Sequence, residues 1–233
     1  MSVFTLADLH LSFSTNKPMD VFGSLWDNHV ERLLEYWNYM VLPEDTVIVP
    51  GDISWAMNVE EATEDFRFIN SLNGKKIIMK GNHDYWWQSM KKLSEFVKEN
   101  EFDTISFLHN TACIAENLVI CGSRGWCCES SPSEEDRKII AREAIRFELS
   151  IEEAKKLNPT GERELVAFSH YPVILPGDET SPILEVLVRH NIKRLYYGHL
   201  HGVRESQLIK SAGGVEMELV SADFRHFTPV RIN

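Results

Sequence analysis

Side chains that could bind metal ions follow five separate apolar runs of the sequence. Each run leads into a short polar block, and three of the five blocks contain glycine. The candidate ligands in these blocks are Asp8, His10, Asp52, Asn82, His170, His199 and His201. Glycine lets the backbone turn sharply and approach an ion closely, because it has no Cβ atom. Loops at the carboxyl ends of sheet strands are where α/β proteins bind ligands, so we expect these side chains to meet.

The seven candidates supply only nitrogen and oxygen donors, and none of them is a thiolate. That number is too large for one tetrahedral zinc ion, but it suits two ions that share one carboxylate. Two ions ~3.5–4 Å apart form the arrangement that is used for phosphoryl displacement. Mixed imidazole and carboxylate ligands favour manganese, iron, zinc or cobalt over calcium or magnesium. The sequence therefore predicts two divalent metal ions as cofactors.

Alternating strands and helices are predicted around these blocks. Periodicity favours strands at residues 3–7, 46–49, 76–79, 104–108, 112–115, 118–121, 165–169, 194–197 and 215–220. Helices are predicted at residues 26–40, 59–72, 88–98, 134–157 and 183–190, the fourth beginning with a capping box of Ser133 and Asp136. This order, with one antiparallel section, indicates an α/β fold (α+β by some schemes) with its helices outside the sheets. No linker composition interrupts the chain, so we expect residues 1–233 to form a single domain.

The composition of the chain disfavours some classes of binding partner. The chain has 233 residues, 43% of them hydrophobic and 25% charged, which is ordinary for a globular protein. Its formal net charge of −11 disfavours general binding to nucleic acid or to anionic membranes. No membrane span or signal peptide is visible, and the four cysteines are typical of free thiols in the cytoplasm. A disulfide between Cys113 and Cys121 across a hairpin remains an alternative.

The five blocks together resemble the pattern of the calcineurin-like metallophosphoesterase family, which reads D-x-H, G-D, G-N-H-[DE], a lone His and G-H-x-H. The resemblance extends from Asp8 to His201. It implies a four-layer αββα fold, in which a β-sandwich is flanked by helices. It also implies two metal sites that share Asp52. The first would consist of Asp8, His10, Asp52 and His201, and the second of Asp52, Asn82, His170 and His199.

Within the same resemblance, His83 binds no metal and faces the phosphate of the substrate. The implied activity is dinuclear-metal-dependent hydrolysis of a small phosphomonoester or phosphodiester. In it a metal-bridging hydroxide held at Asp52 attacks phosphorus, and His83 donates a proton or stabilises the phosphate. Two other functions remain open, a catalytically inactive scaffold module of the same fold and a nuclease. The first predicts damaged metal blocks and the second a basic groove, and the sequence has neither.

One block departs from the branch of the family that dephosphorylates proteins at serine and threonine. That branch reads G-D-x-V-D-R-G, and its second aspartate supports the catalytic histidine. This chain has Trp55 at the corresponding position, so it resembles the small bacterial phosphohydrolases instead. Asp84, which follows His83 directly, is a candidate for orienting that histidine.

Candidate substrate contacts lie beside the metal blocks. An aromatic rim that stacks on an aryl group or a nucleobase is predicted from Trp55, Tyr85, Trp86 and Trp87. Packing of these rings into the core is the alternative. The guanidinium of Arg124 is a candidate to bind a phosphate through two parallel hydrogen bonds, and an ordinary surface ion pair is the alternative. The histidines outside the blocks, which are His29, His109, His190 and His226, are predicted to be surface residues.

Overall fold

Within residues 1–128 and 132–233, which the computed structural model describes, eleven strands form two sheets and five α-helices flank them. The strands are β1 (Val3–Thr5), β2 (Thr46–Val49), β3 (Lys75–Ile78), β4 (Ile105–Phe107), β5 (Ala112–Ala115), β6 (Leu118–Gly122), β7 (Glu164–Ser169), β8 (Arg194–Tyr197), β9 (Ser211–Ala212), β10 (Val215–Leu219) and β11 (Val230–Arg231). The α-helices are α1 (His29–Met40), α2 (Thr63–Ser71), α3 (Met90–Glu99), α4 (Glu134–Leu157) and α5 (Pro182–Arg189).

Both sheets are mixed. The first has the order β11-β1-β2-β3-β4, in which β1 to β4 are parallel and β11 is antiparallel to β1. The second has the order β5-β6-β7-β8-β10-β9, with parallel pairing from β6 to β10 and an antiparallel strand at each edge. Because neighbouring parallel strands end at the same edge of a sheet, the loops after β1, β2 and β3 lie side by side, as do those after β7 and β8.

Alternating side chains build the layers. In β2, Val47 and Val49 pack with the helices, whereas Ile48 packs with the second sheet. In β6, Ile120 faces the first sheet and Cys121 packs with α4 and α5. This alternation is the two-residue period of a strand, and both faces of each sheet are covered. The predicted order of helix, sheet, sheet and helix is confirmed.

Several element boundaries differ from those predicted. The helix predicted to begin at residue 26 begins at His29, because residues 24–26 form a 3-10 turn and Asn28 has a left-handed backbone. The helix predicted from residue 59 begins at Thr63. The strands β9 and β11 were missed because two residues are too few to show a period. In contrast, α4 and its Ser133 capping box agree with the prediction.

The hairpin cysteines remain thiols. The register pairs Cys113 with Ile120 and Cys121 with Ala112, so the two thiols do not lie on directly opposite residues. Burial raises the pKa of the Cys121 thiol to about 12, which keeps it protonated and unreactive at neutral pH. Among the described helices, none has the length and apolar content needed to cross a membrane.

The four histidines outside the metal blocks do not all lie at the surface. His226 is exposed, as predicted. For the others the prediction holds only in part, because neighbours partly cover each ring. His29 packs edge-on against Trp26, His109 packs against Trp87, and only 9% of the His190 side chain is exposed beside Glu148.

Candidate metal centre

The seven predicted ligands all lie in the loops that follow β1, β2, β3, β7 and β8. In the first group, the Nε2 atoms of His10 and His201 face each other at 3.2 Å. Asp8 Oδ1 lies 3.8 Å from His201 Nε2, and Asp52 Oδ2 lies 3.8 Å from His10 Nε2. Two imidazole nitrogens and two carboxylates therefore surround one point, as the ligands of a metal ion would.

The second group lies on the other side of Asp52. Asn82 Oδ1 lies 2.6 Å from His170 Nε2 and 2.9 Å from His199 Nδ1. Asp52 Oδ2 lies 3.5 Å from His170 Nε2. The same carboxylate oxygen is thus within 4 Å of a histidine from each group, at 3.8 Å from His10 and 3.5 Å from His170. Asp52 therefore lies between the two groups of candidate ligands.

Hydrogen bonds behind the cluster orient two of its imidazoles. His201 Nδ1 lies 2.9 Å from Asp223 Oδ1, and His170 Nδ1 lies 3.1 Å from the carbonyl oxygen of Pro50. Since each Nδ1–H can donate to its oxygen acceptor, each Nε2 is left with a lone pair that points into the cluster. Asp223 was not recognised from the sequence, although it follows the last long strand, β10, as the other site residues follow theirs.

Burial favours the uncharged forms of most groups in the cluster. Burial raises the pKa of Asp8 to about 8 and raises that of Asp52 as well. Burial also lowers the pKa values of His170 and His199 to about 3 and that of His10 well below its ordinary value, so these imidazoles are neutral. A divalent cation binds neutral imidazoles, and it supplies the positive charge that buried carboxylates need in order to ionise. The residues present therefore fit divalent metal binding.

His201 differs from the other imidazoles. Burial lowers its pKa, but the hydrogen bond with Asp223 and the charge of Asp8 raise it to about 9. In the absence of a cation it therefore carries a positive charge at neutral pH, next to the carboxylate of Asp223, whose pKa is lowered by this pairing. A metal ion would have to displace the proton on Nε2 in order to bind there.

Four of the seven ligands have a left-handed backbone. The φ angles are 60° at Asp8, 46° at His10, 54° at Asp52 and 72° at His199. Residues other than glycine adopt such angles at a cost of roughly 1–3 kcal/mol each, and these residues cluster at functional sites. The surrounding sheets must therefore hold the ligands in place.

Close packing against the carboxylates explains one of the block glycines. A Cβ atom at Gly198 would lie 2.4 Å from Asp8 Oδ2 and 2.7 Å from the Cβ atom of Ala7. Since Asp8 Oδ2 also accepts the backbone N–H of His199 at 3.0 Å, no larger residue fits without moving a ligand.

Metal affinity is expected to rise with pH. An ion that binds here must displace the protons of Asp8 and His201, whose pKa values are about 8 and 9. Below these values protons compete with the ion, so we expect affinity for Mn²⁺ to increase about tenfold or more per unit between roughly pH 6 and 8. Isothermal titration calorimetry in two buffers of different ionisation enthalpy would count the protons released. Affinity that does not change with pH would contradict these protonation states.

Comparison with known proteins agrees with this geometry. Residues 1–203 match the family of calcineurin-like phosphoesterases. The chain belongs to the calcineurin-like phosphoesterase family. No curated protein matches its sequence.

Three solved structures resemble this calcineurin-like phosphoesterase along almost its whole length. A protein of unknown function from Aquifex aeolicus has 19% sequence identity and a TM-score of 0.53, over 99% of this chain and 95% of that one. A phosphopantetheinyl hydrolase from Mycobacterium tuberculosis has 16% identity and a TM-score of 0.53, with the same coverage of 99% and 95%. A protein of Thermus thermophilus has 12% identity and a TM-score of 0.54, over 99% and 97%. At these identities the likenesses show the fold alone.

The histidine of the phosphoesterase G-N-H-D block lines a cleft beside the metal ligands. The backbone N–H of His83 donates to Asp52 Oδ1 at 2.8 Å, and the ring centroid lies 5.7 Å from that of His10. Trp55 packs against this ring at 4.4 Å and stacks on His10 at 5.0 Å. Among the described residues, none hydrogen-bonds the buried Nδ1 atom of His83. The contact that positions this histidine is therefore aromatic.

Asp84 does not orient His83. Its buried carboxylate accepts the backbone N–H groups of Gly81, Asp52 and Ile53 at 2.7, 2.9 and 2.8 Å, and the indole N–H of Trp86 at 3.0 Å. Burial and the nearby charge of Asp52 raise the pKa of Asp84 to about 7, against the effect of these donors. Its role is to join the loops after β2 and β3, which between them carry three of the metal-block residues, Asp52, Asn82 and His83.

The four aromatic residues of the predicted rim have different surroundings. Trp86 is fully buried against Phe66, so its assignment to the rim is wrong. Trp87 is partly buried, packs against Phe107 and His109, and does not line the cleft. Tyr85 is 57% exposed, with its ring 6.3 Å from that of His83. Trp55 lines the cleft itself.

Replacing Trp86 and Trp55 with Ala should therefore have different effects. The Trp86 variant leaves a cavity in the core, so we expect a loss of roughly 3–5 kcal/mol in the free energy of unfolding. The Trp55 variant should unfold more like the wild type and raise KM for aryl or nucleobase-bearing phosphates by about fivefold, since an aromatic pair contributes ~1 kcal/mol. Urea denaturation and steady-state kinetics would test both. Unchanged kinetics in folded Trp55→Ala would exclude substrate contact.

The cleft has a volume of ≈ 760 Å³ and an apolar wall that sequence reasoning missed. The wall comes from residues 19–26, which form two 3-10 turns and place Met19, Phe22 and Trp26 along the cleft, with the Trp26 ring 5.7 Å from the rings of both His10 and His201. Phe22 is 67% exposed, and its ring is available to an apolar part of a substrate. No helical or strand period marks this segment in the sequence, which is why it was not recognised.

Arg124 lies beside the metal ligands but does not line this cleft. Its carbonyl accepts the backbone N–H of His170 at 3.0 Å, and its guanidinium lies 5.3 Å from the ring of Trp126. The alternative of a surface ion pair is also not realised, because no carboxylate pairs with Arg124 within the described ranges. Instead, Arg124 lines a separate pocket.

Proposed function

We propose that the chain is a dinuclear-metal-dependent phosphohydrolase that acts on a small phosphomonoester or phosphodiester. Membership of the calcineurin-like phosphoesterase family supports the reaction class. The observation that carries the proposal is the position of Asp52 Oδ2, which lies 3.8 Å from His10 Nε2 and 3.5 Å from His170 Nε2. One carboxylate between two complete groups of ligands is suited to hold two ions a short distance apart.

Two divalent ions bound to these ligands would lower the pKa of a water molecule toward ~7 and so supply a hydroxide nucleophile at neutral pH. They would also attract an anionic substrate to a protein whose formal net charge is −11. Asn82 adds no charge to its group, so the ligand set leaves more positive charge for the phosphate than a third carboxylate would.

His83 and the cleft complete the proposed site. The imidazole of His83 lies beside the ligands without binding to the cluster, and it could give a proton to the leaving oxygen. Trp55 packs on both His83 and His10, and so restricts the position of the proton donor relative to the first metal group. The apolar wall that contains Phe22 and Trp26 favours a leaving group with an apolar or aromatic portion.

A hydrolysis screen with Mn²⁺ tests the proposal. The substrates are p-nitrophenyl phosphate, bis-p-nitrophenyl phosphate, cyclic nucleotides and nucleotides, each measured with and without prior removal of metal by a chelator. We expect turnover of at least one of them, its loss on chelation and its recovery when Mn²⁺ is restored. A chain that holds two ions by elemental analysis yet hydrolyses none of these compounds would instead fit the scaffold alternative.

A further inference from the structure

A second pocket lies beside the metal centre, with a volume of ≈ 420 Å³. Its lining includes the basic side chains of Lys80, His109, Arg124, Arg142 and Arg146. Lys80 follows β3, His109 follows β4 and Arg124 follows β6, whereas the other two project from α4.

The strands that lead into the pocket are neighbours of strands that lead into the metal centre. In the first sheet β3 and β4 are neighbours, and in the second sheet β6 is the neighbour of β7. Lys80 precedes the ligand Asn82 by two residues. The carbonyl of Arg124 accepts the backbone N–H groups of His170 and Tyr171 at 3.0 and 2.9 Å. The pocket therefore borders the loops that carry the ligands Asn82 and His170.

The pocket is positively charged in a protein that is acidic as a whole. Among the described residues, its lining carries one carboxylate, Glu143, which is fully buried. Glu143 already accepts the hydroxyl of Ser123 at 2.7 Å and the N–H of Gly125 at 3.1 Å, and it pairs with Arg146. The hydrogen bonds and ion pair of the Glu143 carboxylate thus stabilise the loop after β6.

The remaining cations have no acidic partner. Across the residues that the structure describes, no ion pair involves Lys80, Arg124 or Arg142. The Nε atom of Arg124 is buried and has no hydrogen-bond partner in the part of the chain that the structure describes. Burial lowers the pKa of His109, and the charges of Arg146 and Lys80 lower it further. An unpaired buried guanidinium donor is costly unless a ligand accepts its hydrogen bond.

We propose that this pocket binds a second phosphate group of the substrate, next to the phosphate that is hydrolysed. Three unpaired cations match a phosphate dianion better than a singly charged carboxylate, and guanidinium and ammonium groups are its usual ligands. The inference rests on the proposed function, because it assigns to that reaction a substrate with two phosphate groups.

Binding of inorganic pyrophosphate to the metal-free protein tests the pocket without any turnover. We expect calorimetry at fixed ionic strength to show one site per chain. The double variant Lys80→Gln with Arg142→Gln should weaken it about tenfold or more, since charge-assisted hydrogen bonds are lost. Arg137→Gln is the matched control, because Arg137 is an exposed residue of α4 outside the pocket lining. Equal affinity in wild type and double variant, or no binding to the wild type, would overturn the proposal.

Kinetics of the Mn²⁺-loaded protein then separate a substrate site from a site for free anions. Adenosine 5′-monophosphate and adenosine 3′,5′-bisphosphate provide one phosphate and two. The double variant should raise the ratio of the bisphosphate KM to the monophosphate KM at least tenfold. An unchanged ratio with weakened pyrophosphate binding would mean that the pocket takes a free anion, which contradicts the proposal. If the protein hydrolyses neither adenosine compound and none of the phosphates in the screen, the proposed function fails, and the assignment of the pocket to a second phosphate of the substrate fails with it. Pyrophosphate binding would still show whether the pocket takes a phosphate.

Discussion

Replacing Asp52 with Asn is expected to remove at least one of two bound divalent ions and to reduce turnover by about 10³-fold or more. A neutral amide bridges two cations poorly, whereas the carboxylate oxygen of Asp52 lies between histidines of both ligand groups. The fold should survive, because an amide oxygen can still accept the backbone N–H of His83 that Asp52 Oδ1 accepts at 2.8 Å. Elemental analysis after saturation with Mn²⁺ and gel filtration measures the result.

Asp20→Asn is the matched control for this experiment. Asp20 is an exposed carboxylate of the 3-10 turn at residues 19–22, and it does not line the cleft. The same change of charge there should leave both ions in place. Retention of two ions in Asp52→Asn would show that Asp52 does not bridge them.

Replacing His83 with Ala is expected to keep both metal ions and to reduce turnover by roughly 10²–10⁴ for substrates with poor leaving groups. The ring lines the cleft beside the ligands, and it is the backbone N–H of His83, retained in alanine, that contacts Asp52. The loss should be smaller for p-nitrophenyl phosphate, because a p-nitrophenolate leaving group needs little protonation. Comparison of kcat across alkyl and aryl esters measures this difference.

His226→Ala serves as the control, since it removes an exposed imidazole that does not line the cleft. Equal losses for good and poor leaving groups would exclude His83 as the proton donor and leave electrostatic stabilisation of the phosphate as its role. Loss of an ion in His83→Ala would mean that the histidine binds a metal or supports a residue that does.

The positions of the metal ligands could be predicted because they depend on two local signals. Each polar block directly follows an apolar run, and parallel strands bring such blocks to one edge of a sheet. The residues around the ligands depend instead on contacts between distant parts of the chain. Asp223 orients His201 across 22 residues, and the carbonyl of Pro50 orients His170 across 120. No local pattern encodes those pairings.

The run Tyr85-Trp86-Trp87 shows the same limit at short range. Three consecutive aromatic residues have no period, so the sequence does not say which ring turns inward. The structure decides it through Asp84, whose carboxylate binds the Trp86 indole N–H and holds that ring against Phe66. Asp84, a candidate for orienting His83 from its adjacency in sequence, binds backbone N–H groups and the Trp86 indole instead, because adjacency in sequence does not give contact in space.

The left-handed backbone at four of the ligands determines which substitutions at these positions would be favoured if the chain were selected for heat resistance alone. Glycine adopts such φ angles without steric strain, so a glycine at Asp8, His10, Asp52 or His199 would relieve the local backbone. Every such change would delete a ligand. Random libraries screened only for thermal stability should therefore be enriched in inactive variants with substitutions at these positions. A screen that also requires activity should retain the original residues there.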